Sequence, residues 1–153
     1  MQKFYHVLAN TLIANVTTSF LWFALTFWVY LETRSVMATA IIGGSYMLFV
    51  AIFSLVFGTI VDHNKKKRVM LASSGITLLS YLIAGLVFLI FPQSDLVNWF
   101  SAPFWLFAGI ILIGGVVENM RNIALSTTVT LLVPKEKHAN ANGLVGGVQG
   151  IAF

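Results

Sequence analysis

Cysteine is absent from the 153-residue chain, and charged residues make up only 9% of it. The first absence excludes a disulfide framework and any thiolate metal site. The second excludes a water-soluble globule, whose composition ordinarily includes roughly 25% charged residues. Nine Lys and Arg with five Asp and Glu cannot clothe a body of this size. A metal-ligand cluster, a phosphate-binding glycine loop and a Ser/His/Asp set are also missing, so no enzymatic activity, metal or cofactor is expected. His6, His63 and His138 fall at or near the ends of apolar segments, where a solvated histidine is ordinary. A cleavable signal peptide is not expected either. The first apolar stretch is too long for one and runs into Trp28, Tyr30, Glu32 and Arg34 instead of a small-residue cleavage site.

What is present is oil. Hydrophobic residues reach 58%, and the mean hydropathy is +0.89. About 20 apolar residues in helical form cross a hydrocarbon core of roughly 30 Å. Four segments meet that length, at about 7–30, 37–61, 69–91 and 104–133, the last long enough to tilt. A fifth starts near Asn142, and its run to Phe153 is too short to span, which reads as a truncation. The fold class expected is therefore all-α, a polytopic transmembrane helix bundle.

The net charge of +4 does not point to nucleic acid, because the cations are confined to short connections. Lys3 precedes the first span, Lys65, Lys66, Lys67 and Arg68 follow the second, and Lys135 and Lys137 follow the fourth. The other two connections hold Glu32 with Arg34, and Asp95. Seven of the nine basic residues thus share one side, which the positive-inside rule assigns to the cytoplasm together with the N-terminus. Trp28, Tyr30, Trp99 and Trp105 fall at the opposite interface, where amphipathic rings prefer to sit. The expected location is a multi-pass protein of the cell (plasma or inner) membrane, with the lipid bilayer as its solvent.

Polar residues inside the spans carry the functional information. Thr11, Asn15, Thr18 and Trp22 recur every three or four residues, so they share one face of the first helix. That face fits either interhelical hydrogen bonding or the wall of a cavity. In the fourth span Glu118, Arg121 and Asn122 are three and four apart and can meet on one face. One charge at the middle of a span costs roughly 2.5–3.5 kcal/mol. The trio fits either a mutually satisfied ion pair or a proton and substrate site, with Glu118 as proton carrier and Arg121 tuning its proton affinity. Gly43, Gly44, Gly114, Gly115 and the pairs Gly143/Gly147 and Gly146/Gly150 are expected to let helices approach closely.

Between the second and third spans the chain reads Gly58-Thr59-Ile60-Val61-Asp62-His63-Asn64-Lys65-Lys66-Lys67-Arg68. A carboxylate at a helix C-terminus opposes the helix dipole and needs compensation, from the basic cluster or from another helix end. Gly58, one turn earlier, leaves room for such an approach. This loop resembles the signature of the major facilitator superfamily, in which a Gly, three residues, an Asp, a basic residue, a small residue and two further basics follow in order. Gly58, Asp62, Lys67 and Arg68 match; His63 replaces the usual Arg or Lys, and Lys65 the usual Gly. Phe27-Trp28-Val29-Tyr30-Leu31-Glu32-Thr33 is similar to the macrolide-efflux and enterobactin-exporter branch. So are Leu131-Leu132-Val133-Pro134-Lys135-Glu136 and Ala139-Asn140-Ala141-Asn142-Gly143.

The resemblance implies that residues 1–153 form the N-terminal part of a twelve-helix exporter of two six-helix halves. It implies a proton-coupled efflux transporter for a small molecule or drug, whose missing C-terminal half is a required partner. Asp62 would clamp the halves, and the first and fourth helices would line the cavity. Many relatives carry Arg-x-x-x-Gly in the fourth helix, but Leu125 stands four residues after Arg121, so that motif's role is not transferred. Two other readings fit the spans: a non-transporting scaffold or assembly protein, and a small four-helix dimeric multidrug transporter.

Overall fold

The computed structural model describes residues 2–151. Its elements are α1 (Gln2–Thr33), α2 (Val36–His63), α3 (Lys66–Ile90), α4 (Gln93–Val97), α5 (Ala102–Leu132) and α6 (His138–Gly150), with no strand among the described residues. By length and composition α1, α2, α3 and α5 can each cross a membrane. Such helices satisfy their backbone groups internally, which an apolar solvent demands.

Each helix end has a local cause. Arg34 takes a left-handed φ of 51° and breaks α1, a conformation that costs a side-chain-bearing residue roughly 1 kcal/mol. Its N–H donates to the Tyr30 carbonyl at 3.0 Å, and Ser35 then caps α2 by accepting from the Ala38 N–H at 3.1 Å. At the far end of α2 the Asn64 side chain donates to the Ile60 carbonyl at 2.9 Å. Lys66 donates to the Val61 carbonyl at 2.5 Å. Val133 is extended (φ −116°, ψ 134°), because Pro134 crowds a helical residue before it. A 3-10 turn, Lys135–Lys137, leads into α6. That helix starts at His138, four residues before the expected Asn142, since the alternating Ala and Asn residues 139–142 are short enough to join the first turn. Ala152 and Phe153, the last residues of the expected fifth span, lie outside the described residues. The short α4 was not expected; it folds under because Leu96 is buried against the aromatic end of the bundle.

α5 is the hub and touches every other helix. Its broadest interface is with α3, which turns Val69, Ser73, Thr77, Ser80, Ala84 and Val87 inward at helical spacing. Small side chains on this stripe let the two helices lie close, and the Thr77 hydroxyl donates to the Gly114 carbonyl at 3.0 Å. A Cβ on Gly114 would stand 2.9 Å from Tyr81 and 3.1 Å from Ser80. The expectation of close packing at the other glycines is corrected except at Gly115. Gly43, Gly44, Gly143, Gly146, Gly147 and Gly150 have no neighbour within 4 Å of a built Cβ among the described residues.

Apolar packing is concentrated at the two ends. One cluster joins Leu25, Val29, Ile42, Val87, Leu96 and Phe104, with Trp28 and Trp99 against it. Another, at the basic end, joins Phe4 and Leu8 of α1 to Leu125 and Val129 of α5 and Val145 and Val148 of α6. Between these clusters lies a polar layer that holds Asn15, Thr77, Glu118 and Arg121, all buried. The outward surface is apolar, with Ile13, Phe20, Met47, Leu55 and Leu89 all exposed, as lipid contact requires.

Gly114→Ala should therefore destabilise the bundle by about 1–3 kcal/mol through overpacking. Gly109→Ala, with no neighbour within 4 Å, should change stability by less than about 0.5 kcal/mol. Unfolding of purified variants in mixed detergent micelles reads both, and equal stabilities would contradict the close α3–α5 contact.

A polar cavity at mid-depth

Three helices converge on the polar layer. Asn15, Thr18 and Trp22 on α1, Tyr46 on α2, and Glu118 and Asn122 on α5 line a cavity of about 420 Å³. It is shaped by close contacts. Gly115 presents no side chain, so the Tyr46 ring lies against α5, 3.3 Å from where a Cβ would stand. Trp22 then packs on Tyr46 with ring centroids 4.4 Å apart. α6 closes the basic side of this layer: Asn15 donates to the Val148 carbonyl at 3.4 Å, and Gln149 donates to the Asn122 carbonyl at 3.3 Å.

Two expected members are elsewhere. Thr11 is fully buried and its hydroxyl donates back to the Val7 carbonyl at 2.9 Å, so it belongs to the helix packing and not to the cavity wall. Arg121 turns away from the cavity, and its Nη1 donates to Ser74 on α3. The cause is angular. Residues 118 and 122 are about 40° apart around a helix, whereas 121 and 122 are about 100° apart. Glu118 and Asn122 can thus share one wall while Arg121 reaches the next groove. Glu118 and Arg121 still meet edgewise at 3.9 Å, both almost wholly buried.

Ser19, Thr26, Tyr46 and Asn119 also line the cavity. Ser19, between Asn15 and Trp22 at helical spacing, and Thr26, one turn beyond Trp22, share that face and could have been read from it. Tyr46 is the one tyrosine of its span, three residues after Gly43, and spacing alone did not single it out.

The layer is incompletely satisfied. One Asn15 oxygen, one Glu118 carboxylate oxygen, the Asn122 side-chain oxygen and Arg121 Nε are buried without a hydrogen-bond partner among the described residues. An unpaired polar atom costs roughly 1–3 kcal/mol in a protein interior. Three of these four residues line the cavity. Unpaired acceptors buried beside a cavity suit water, a proton or a ligand bearing donors.

In the α2–α3 loop the basic cluster supplies the counter-charge to Asp62. Asp62 is exposed and its ion partner is Lys66, at 3.9 Å, not Lys67 or Arg68, which are exposed as well. Lys66 was not singled out in the sequence, and its i+4 spacing from Asp62 was the signal. Gly58 has no close neighbour within 4 Å of a built Cβ among the described residues. Among the described residues no other helix approaches Gly58 within that distance.

Comparison with known proteins accords with this architecture. The Major Facilitator Superfamily profile matches residues 7–153. Macrolide efflux protein A of Streptococcus pyogenes is 24% identical over 151 residues, which cover 99% of this chain and 35% of that protein. The protein of the same name from Streptococcus pyogenes serotype M6 (strain ATCC BAA-946 / MGAS10394) matches to the same extent. The chain thus spans about a third of the length of the curated relatives it matches, 35%. No solved structure matches it significantly. With the profile covering all but the first turn of α1, the chain belongs to the major facilitator superfamily.

Proposed function

We propose that this chain forms part of a proton-coupled secondary transporter that exports a small molecule or drug across the cell membrane. The observation that carries the reading is the mid-depth cavity between α1, α2 and α5, with buried acceptors of Asn15, Glu118 and Asn122 left unpaired beside it. Coupling and substrate sites of secondary transporters lie at that depth. The name of the relatives, macrolide efflux protein A, supports export as the direction and a drug as the cargo. Further helices, supplied by the remainder of a protein of the relatives' length, complete the site, because alternating access needs two units rocking about it.

Glu118 carries the proton and Asn122 offers a hydrogen-bonding amide beside it, while Asn15 and Thr18 present polar atoms from the opposite wall. The aromatic pair Trp22 and Tyr46 supplies the apolar surface on which an amphipathic molecule rests. Arg121 stands behind Glu118, outside the cavity, and biases its proton affinity. The lysine-rich loop and the N-terminus lie in the cytoplasm, which the distribution of basic residues supports. Gly58, Asp62, Lys67 and Arg68 form the gating loop, and Asp62 pairs with Lys66 in this conformation. In the other conformation it exchanges that partner for a helix end of the second unit.

In the full-length transporter, Glu118→Gln should abolish substrate efflux driven by a pH gradient while leaving the amount of protein in the membrane unchanged. Everted vesicles with a fluorescent substrate measure this, and unaltered coupling would remove Glu118 from the proton path. Asp62→Asn should lower the efflux rate with little loss of insertion. Lys66→Gln separates the two partnerships: if the loop acts only through the Lys66 pair, it should match Asp62→Asn. Wild-type efflux from Asp62→Asn would contradict the gating role.

A further inference from the structure

Two tyrosines from different helices meet α5 at one Gly-Gly step. A Cβ on Gly114 would stand 2.9 Å from the Tyr81 ring of α3, and one on Gly115 would stand 3.3 Å from the Tyr46 ring of α2. Both glycines are buried. They lie four and three residues before Glu118, one helical turn away. The two contacts differ in where they lead. Among the described residues, Gly115, Tyr46 and Glu118 line the mid-depth cavity, whereas Gly114 and Tyr81 do not.

Tyr46, on α2, touches both of the other cavity helices. Its Cε2 and Cδ2 edge faces the backbone of α5, 3.3 and 3.8 Å from where a Gly115 Cβ would stand. Its ring also packs on Trp22 of α1, with centroids 4.4 Å apart and planes inclined by 36°. Carbon atoms at their optimal separation sit roughly 3.5–4.0 Å apart, so a methyl at 115 crowds the ring by a few tenths of an ångström. The ring cannot give toward α5. It gives toward Trp22 or toward the cavity that both rings line. The added methyl and the displaced ring together take space from a cavity of about 420 Å³.

We propose that Gly115 acts through Tyr46 as a positioning residue that sets the width of the cavity, and so the girth of the molecule admitted beside Glu118. The inference rests on the reading of this cavity as the transport site. It uses only contacts made between α1, α2 and α5. A bare backbone at 115 lets an aromatic ring serve as cavity wall without closing the cavity, and any side chain there trades admitted girth for its own volume. Gly114 makes the tighter contact of the two, but that contact seals α3 against α5 and has no share in selection.

Thiol labelling tests the width without requiring transport. In the full-length transporter, with any cysteine outside these residues replaced, Asn119→Cys places one thiol on the cavity wall, one turn beyond Gly115 on the same face. The probes are the slender 2-aminoethyl methanethiosulfonate and the broad fluorescein-5-maleimide, and the readout is the ratio of their reaction rates in bilayer-embedded protein. Adding Gly115→Ala should slow the broad reagent about tenfold relative to the slender one, the scale on which a close-fitting site senses one methylene. Tyr46→Leu alone should speed the broad reagent. Gly115→Ala/Tyr46→Leu should restore the parental ratio, because the smaller side chain vacates the space that the methyl enters. Gly114→Ala should leave the ratio unchanged even where it lowers stability. An unchanged ratio in Gly115→Ala, an equal shift in Gly114→Ala, or a parent that reacts with neither reagent would overturn the inference. Where Gly115→Ala does not reach the membrane, Tyr46→Leu decides, and an unchanged ratio in it overturns the inference too. None of these outcomes bears on the coupling assay of Glu118→Gln, so the two readings fail separately.

Discussion

A carboxylate and a guanidinium on adjacent turns of α5 cannot both face lipid. Glu118 and Arg121 sit in the middle of a span whose surroundings hold no bulk water, and exposing either to acyl chains would cost several kcal/mol. This constraint fixes the rotation of α5. Its charged arc must turn inward, so α1, α2 and α3 must gather around it, and α5 becomes the helix that all others touch. The small-residue stripe of α3 and the glycines at 114 and 115 make that gathering sterically possible.

Once α5 is oriented, the two charges divide the interior. Glu118 opens on the cavity between α1 and α2, and Arg121 on the groove beside α3. They touch only at 3.9 Å, so neither fully satisfies the other. A structural ion pair offsets burial with well-made hydrogen bonds, and here Arg121 has one such bond, to Ser74. Apolar clusters at both ends of the bundle hold the layer in place, leaving unsatisfied groups between them.

Much of this was legible in the sequence, and the limits are instructive. Length and hydropathy mark the four long helices because lipid leaves a chain little choice of backbone structure. The faces carrying Asn15, Thr18 and Trp22, and Glu118 with Asn122, followed from helical spacing. Spacing put Arg121 near Glu118, as it is, but not outside the cavity, because i,i+3 spacing does not tell which groove a long side chain enters; its neighbours decide that, here Ser74 on α3. Thr11 was misassigned for a related reason. Its hydroxyl is satisfied by its own helix, which spacing does not reveal. The start of α6 was missed because Asn-rich residues 139–142 look like a loop, although the turn after Pro134 feeds them straight into a helix. The glycine pairs failed as packing signals for want of a partner helix within reach, which a pairwise motif does not encode.

The inward rotation of α5 can be read directly, since the chain has no cysteine and any introduced thiol is the sole target of a water-soluble maleimide. Single cysteines at Asn119 and Asn122, which line the cavity, should react in bilayer-embedded protein. Those at Ile113, on the lipid face, and at Leu125, packed in the apolar cluster, should stay unlabelled. Labelling at 113 and 125 with protection at 119 and 122 would mean that the charged arc faces the other way.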